Sequence, residues 1–83
     1  MLFEELKKAI LFLQENLPNK TKNMLKEDKY ENLDLYHFSL GLFVRTKLLN
    51  NSPLFHLLKL RGIENKDDMS RLILQLFYLH IRG

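Results

Sequence analysis

The chain has 83 residues, no cysteine and a formal net charge of +3, and 46% of its residues are hydrophobic. A chain of this length is too short for two independent cores, and the lack of cysteine excludes disulfide bonds and thiolate metal sites. The longest uninterrupted apolar run, Ala9 to Leu13, is too short to cross a bilayer, and the N-terminal residues lack the pattern of a secretory signal. We therefore expect one domain spanning residues 1–83, located in the cytoplasm.

Two helices are predicted in the first third of the chain. Apolar residues at steps of three or four predict a helix from Leu2 to Leu17, and Pro18 ends it because the residue before a proline avoids helical dihedrals. Its apolar stripe consists of Phe3, Leu6, Ile10, Leu13 and Leu17. A short second helix is predicted through Met24 and Leu25 to about Glu27, although its many charged residues are equally typical of an ordered loop.

A third helix is predicted from Glu31 to Leu49, with apolar residues on two sides. One stripe contains Leu33, Tyr36, Leu40, Val44 and Leu48, and the other contains Leu35, Phe38, Leu42 and Leu49. Because such a helix is covered by neighbours on more than one face, we expect it to be the central, largely buried element. Gly41 lies in its middle, where glycine costs roughly 1 kcal/mol relative to alanine and is tolerated when another helix packs closely.

Start and stop signals delimit the last two helices. Ser52 and Pro53 are typical of the N-cap and first residue of a fourth helix, and Gly62 is typical of the residue that ends one. A fifth helix opens within residues 65–68, with Asp67 as the expected cap. Its predicted apolar face contains Met69, Leu72, Ile73, Leu76, Phe77 and Leu79. The sequence therefore predicts an all-α fold, a compact bundle of four to five helices.

Residues with catalytic or metal-binding chemistry are scattered along the chain. The histidines lie far apart and form no H-E-x-x-H pattern, and no serine lies in a strained, glycine-flanked turn. Asp67 and Asp68 are adjacent at a helix start, which helix capping explains. We therefore expect no enzymatic activity, no cofactor and no metal site.

One row of polar residues has two interpretations. His37, Gly41 and Arg45 follow at steps of four, so they lie along one side of a helix. An imidazole and a guanidinium beside a gap at glycine can hold a carboxylate or phosphate. Alternatively Arg45 pairs inside the fold with Asp67 or Asp68 and locks the last helix against the third, because an arginine among apolar residues needs such a partner. We favour the pairing.

Positive charge is concentrated in the middle of the chain. From Leu35 to Ile63 there is no carboxylate, but the segment carries four cationic residues. They are Arg45, Lys47, Lys59 and Arg61. Together with His37 they are candidate contacts with a partner or ligand, because a local positive field favours an anionic molecule such as an acidic protein surface, a nucleotide or a nucleic acid. Cations scattered over solvated helix faces are the alternative interpretation.

The sequence resembles a family of small bacterial and phage proteins of unassigned function. The resemblance lies in the segment 34–45, in Leu57 to Ile63 and in the segment 67–70, where family members carry an "H-F-x-L-G-x-x-I-R-N" block, a leucine-rich helix ending in glycine and an "H-P-D-D-x-S" block. The matching residues are His37, Phe38, Gly41, Arg45, Gly62, Asp67, Asp68 and Ser70. Three features depart from the pattern: Thr46, the pair Asn65-Lys66 and a loop without tryptophan at 48–52. If that loop forms a binding surface in relatives, we expect a different partner here.

The resemblance implies an all-α fold and no established activity, and the family's association with small accessory genes favours immunity or inhibitor proteins. We therefore expect a non-enzymatic binding protein that blocks a toxin or defence protein by direct contact, with an acidic protein or a second copy of the chain as partner. A binder of an anionic small ligand such as a nucleotide, which would use His37, Arg45 and Arg61, is one alternative. A nucleic-acid-binding regulator is another, and no membrane partner is expected.

Overall fold

Five α-helices and one 3₁₀ helix make up the part of the chain that the computed structural model describes, namely residues 2–36, 39–50 and 52–83, with the backbone alone for Tyr30 and Asp34. In chain order they are α1 (Leu2–Asn16), α2 (Asn19–Glu27), the 3₁₀ helix (Tyr30–Tyr36), α3 (Ser39–Leu48), α4 (Pro53–Leu60) and α5 (Lys66–Arg82). The Cα radius of gyration is 12.0 Å, close to the roughly 12 Å expected for a compact domain of this length. The predicted all-α bundle is confirmed.

The last helix, α5, is the central element of the bundle. It packs against all four other α-helices and against the 3₁₀ helix. Its buried residues are Met69, Ser70, Ile73, Leu74, Phe77 and Tyr78. Only Leu40, Gly41 and Val44 are buried in α3, so the central position predicted for the third helix belongs to α5. The apolar residues on two sides did not mean burial on two sides, because Leu35 is 74% exposed and Leu42 is 56% exposed.

The predicted third helix is not continuous. Its first part is the 3₁₀ helix Tyr30–Tyr36, and α3 begins at Ser39; His37 and Phe38 lie outside the described residues. The tighter helix follows Asp28, whose carboxylate accepts hydrogen bonds from the side chains of Asn32 and Tyr36. These side-chain bonds compete with regular α-helical geometry, which apolar spacing alone does not reveal.

The fourth helix begins and ends as its signals predict. The hydroxyl of Ser52 accepts a hydrogen bond from the Phe55 amide at 3.2 Å, and Pro53 is the first helical residue. Gly62 has a φ of 90°, and its amide donates to the Lys59 carbonyl at 3.0 Å while the Ile63 amide donates to the Leu58 carbonyl at 3.1 Å. This pair of bonds is the Schellman ending that favours glycine at the left-handed position.

The fifth helix has a different cap from the predicted one. The side-chain oxygen of Asn65 accepts a hydrogen bond from the Asp68 amide at 2.8 Å, and its side-chain nitrogen donates to the Asp68 carboxylate at 3.0 Å. Asn65 is therefore the N-cap. Asp67, the predicted cap, lies in the first turn. Both aspartates lie where the partial positive charge of the helix start favours carboxylates.

Candidate functional site: an apolar groove between the first and last helices

Arg45, the most prominent candidate from the sequence, pairs within the fold. Its Nη1 lies 3.1 Å from Oδ1 of Asp67, and the same nitrogen lies 3.5 Å from the Ser70 hydroxyl. Ser70 is fully buried, and its hydroxyl donates to the Asp67 carbonyl at 2.9 Å. The ion pair joins α3 to the first turn of α5, as the second interpretation of the sequence predicted. The row with His37 falls partly outside the described residues.

We expect Arg45→Ala to destabilise the fold by roughly 1–2 kcal/mol, because the change removes both the ion pair and the packing of a largely buried side chain. Asp67→Asn should have a smaller effect, since the Asp67 side chain is 71% exposed. Urea unfolding of the two variants measures the difference. An Arg45→Ala protein as stable as the wild type but unable to bind its partner would contradict the structural role.

The other cationic candidates lie on the surface. Lys47 and Arg61 are exposed. The ammonium of Lys59 lies 5.4 Å from the centroid of the Phe55 ring, and Lys66 at the start of α5 lies at the same distance from that ring. Arg45 and Lys59 thus have different partners. The positive segment predicted from the sequence forms a surface rather than a pocket with converging polar groups.

A polar cluster centred on Asp28 was not predicted from the sequence. Its carboxylate accepts hydrogen bonds from Asn32 at 2.7 Å, Tyr36 at 2.8 Å and the Lys29 amide at 2.8 Å. Its backbone carbonyl accepts one from the hydroxyl of Tyr78, 2.7 Å away. Asp28 thereby joins the end of α2 to the 3₁₀ helix and to α5. The run of charged residues around Asp28 did not indicate this role, because the side chains of Asn32, Tyr36 and Tyr78 that donate to it lie four, eight and fifty residues away.

The Asp28 cluster makes stability depend on pH at both extremes. Hydrogen bonds from Asn32, Tyr36 and the Lys29 amide hold the pKa of the Asp28 carboxyl below its usual 3.8, whereas the bond to Asp28 raises the pKa of Tyr36 above its usual 10.0. A lowered carboxyl pKa adds stability above 3.8 that is lost as the pH falls through the folded value. A raised phenol pKa adds stability below 10.0 that is lost as the pH rises through the folded value.

We therefore expect Tyr36→Phe to be less stable than the wild type near neutral pH, with the difference shrinking both in acid and in strong base. Urea unfolding across the pH range measures it. Asp28→Asn serves as the companion variant and should lose the dependence on both sides. The two proteins could instead differ in their free energy of unfolding by the same amount from about pH 2 to about pH 11, the range that covers both titrations. That result would contradict this role for the bond.

A groove between α1 and α5 is open to a partner. It has a volume of about 320 Å³. Its walls are Phe3, Leu6, Lys7, Ile10 and Leu11 from α1, and Leu76 and His80 from α5. Phe3 is 77% exposed and Leu11 is 43% exposed, although the sequence placed Phe3 on the core stripe of the first helix. At one end, Nε2 of His80 lies 2.6 Å from Oε1 of Gln14, a contact that links the two helices.

The groove has apolar walls and a positive edge. Five of its seven lining residues are aliphatic or aromatic, and the two that can carry charge, Lys7 and His80, can be only cationic or neutral. Exposed apolar surface of this kind, with polar groups at its rim, marks interaction sites in soluble proteins. Such a groove can bind an apolar surface of a partner and orient a negatively charged group of the same partner beside it.

The described residues contain neither a cluster of metal-ligating side chains nor a helix that could span a membrane. Within residues 2–36, 39–50 and 52–83, no three His, Asp or Glu side chains gather as a metal site requires. In the same part of the chain, none of the helices has both the length and the apolar character needed to span a bilayer. The groove is therefore the candidate site that we carry forward.

The comparison with protein families gives a match over nearly the whole chain. The family model described as "Domain of unknown function (DUF6794)" matches residues 4–81. The matched range includes most of α1, all but the last residue of α5, and every residue that lines the groove except Phe3. No curated protein and no solved structure matches the chain significantly.

Proposed function

The chain belongs to the DUF6794 family, whose function is not assigned, and we propose that it is a non-enzymatic binding protein of the immunity or inhibitor kind. It acts by covering part of the surface of a toxin or a defence protein. The observation that carries the proposal is the apolar groove between α1 and α5. Phe3, at one end of it, leaves most of a large aromatic side chain in water, an arrangement whose free energy improves when a partner covers the ring.

The charge distribution supports an acidic partner. The net charge is +3, and the segment from Leu35 to Ile63 carries cations without carboxylates. Lys47, Lys59 and Arg61 from this segment are exposed. Surface cations attract an acidic protein and speed its association, while the groove supplies the apolar contact that holds it.

Two alternatives fit the described residues less well. An anionic ligand such as a nucleotide was expected to bind Arg45, but the guanidinium already faces the Asp67 carboxylate, so an added anion must compete with it. Nucleotide binding predicts a stability gain of about 2.7 kcal/mol at 100 times the dissociation constant, which thermal unfolding measures. Binding to DNA or RNA predicts a steep loss of affinity with salt.

The proposal is tested by capture of a partner with matched variants. The purified chain, Phe3→Gln and Leu42→Gln are immobilised and exposed to lysate of the native host. Phe3 and Leu42 are both more than half exposed, but only Phe3 lines the groove. Glutamine is neutral and favours helices, so both variants should keep the fold.

We expect one protein to be retained by the wild type and by Leu42→Gln and to be retained about 30-fold less by Phe3→Gln, an effect in the range found when an interface loses a large aromatic side chain. The purified chain should then inhibit the activity of that protein in a stoichiometric assay. Equal retention by all three folded chains would overturn the groove as the binding surface. Retention of a partner whose activity is unchanged would overturn the inhibitory role.

A further inference from the structure

The groove between α1 and α5 is shaped and charged for one kind of occupant. We propose that it binds one face of an amphipathic helix of the partner protein, with a carboxylate of that helix placed against Lys7 and His80. The inference rests on the proposed function and specifies the surface that the partner presents.

The local architecture favours a helix over an extended segment. An extended peptide usually joins a sheet at an exposed edge, but residues 2–36, 39–50 and 52–83 form no strand. Proline-rich segments need a groove lined by several aromatic rings, whereas Phe3 is the one aromatic hydrocarbon ring here. A third helix laid between two packed helices, by contrast, fits its side chains into the groove between them.

The length of the groove sets the size of the occupant. Its α1 wall runs from Phe3 to Leu11, and the eight steps between these residues span roughly 12 Å at 1.5 Å per residue. An occupying helix therefore needs a little more than two turns. Apolar side chains at positions i, i+3 or i+4, and i+7 lie on one face over that length, which is the pattern with which helices bind apolar grooves.

The charge of the groove selects a carboxylate and disfavours a second copy of the chain. Lys7 lies in the α1 wall, with its neighbours Leu6 and Ile10 forming apolar surface, and His80 lies opposite on α5. A carboxylate beside the Lys7 ammonium gains an ion pair in a partly apolar setting. Two copies meeting through this groove would place two Lys7 ammonium groups in one interface without a carboxylate among the residues that line it, and each copy carries a net charge of +3.

The experiment uses two synthetic peptides of about 15 residues. Because free peptides of about this length are only marginally helical, each carries a covalent staple on its solvent-facing side that holds it as a helix. Both carry leucine at i, i+4 and i+7. One carries glutamate beside the leucine face, and the other carries glutamine at the same positions. Each is titrated into the full chain, with affinity read by fluorescence anisotropy and location read by amide resonance shifts.

We expect the glutamate peptide to bind about 5-fold more tightly than the glutamine peptide at low salt, with shifts confined to α1 and α5. The difference should largely vanish at about 0.5 M NaCl. Lys7→Gln should remove the preference, and Lys20→Gln, which changes an exposed lysine of α2 outside the groove, should keep it.

The possible results separate this inference from the proposed function. Equal affinity of both peptides at the groove would overturn the carboxylate preference and leave the binding surface in place. Failure of both peptides to saturate the chain at about 1 mM, while Phe3→Gln still loses the captured partner, would overturn the helical occupant alone. Peptide-induced shifts outside α1 and α5, together with full partner retention by Phe3→Gln, would overturn both.

Discussion

Phe77→Ala is expected to lower the free energy of unfolding by about 3–5 kcal/mol. Phe77 is fully buried and is the largest of the fully buried side chains, and it lies on α5, the helix that packs against every other element. Truncating a buried phenylalanine to alanine costs about 3–5 kcal/mol. An 83-residue domain has a total stability of roughly 4–12 kcal/mol, so the loss takes up a large share of it.

The test compares urea unfolding of Phe77→Ala with that of Phe3→Ala. Phe3 is 77% exposed, so its truncation should change the free energy of unfolding by less than about 1 kcal/mol. The two variants remove the same kind of side chain, one from the centre of the core and the other from the groove. Similar losses for both variants would mean that α5 does not form the centre of the core.

Leu25→Ala should lower the free energy of unfolding by about 2–5 kcal/mol. This is an unexpectedly large effect for a segment dominated by charged residues. Leu25 is fully buried in α2, and α2 packs against α5. The substitution leaves a cavity that the short, polar helix has few other side chains to fill. The sequence allowed this segment to be an ordered loop, for which a leucine would contribute far less.

Met24→Ala is the matched control in the same helix. Met24 is 54% exposed, and alanine has the higher helix propensity, so we expect a change within about 0.5 kcal/mol. Circular dichroism and chemical unfolding measure both variants. A Leu25→Ala protein as stable as Met24→Ala would show that α2 adds little to the core.

Much of the fold followed from local signals in the sequence. Ser52, Pro53 and Gly62 delimit α4 because capping depends on a few adjacent residues, and these residues carry their own geometric preferences. The Arg45–Asp67 pair was also predicted, since a cation on an apolar helix requires a nearby carboxylate. These inferences needed only short-range chemistry or the cost of an uncompensated charge.

The remaining features depend on long-range packing. Apolar periodicity shows which side of a helix is hydrophobic, but it does not show which neighbour covers that side. For this reason Phe3 was assigned to the core although it lines an open groove, and α3 was given the central position that α5 holds. The Asp28 cluster escaped prediction because Tyr78 approaches its carbonyl from fifty residues away.

The candidate site was therefore only partly accessible from the sequence. Counting charges along the sequence identified Lys47, Lys59 and Arg61 as a cationic surface, and all three residues are exposed in the structure. The groove could not be predicted in this way, because it depends on how α1 and α5 lie relative to one another and no sequence motif specifies that placement. Its positive edge, formed by Lys7 and His80, combines residues more than seventy positions apart.

The central place of α5 bears on how the protein matures during synthesis. Every other helix buries its apolar side against this element, and α5 comes after all of them in the chain. A nascent chain therefore cannot complete its core until residues 66–82 have left the ribosome. Until then the apolar side chains that face α5 stay uncovered, although α1 and α4 also pack against each other, and such exposed apolar surface favours aggregation of an incomplete chain.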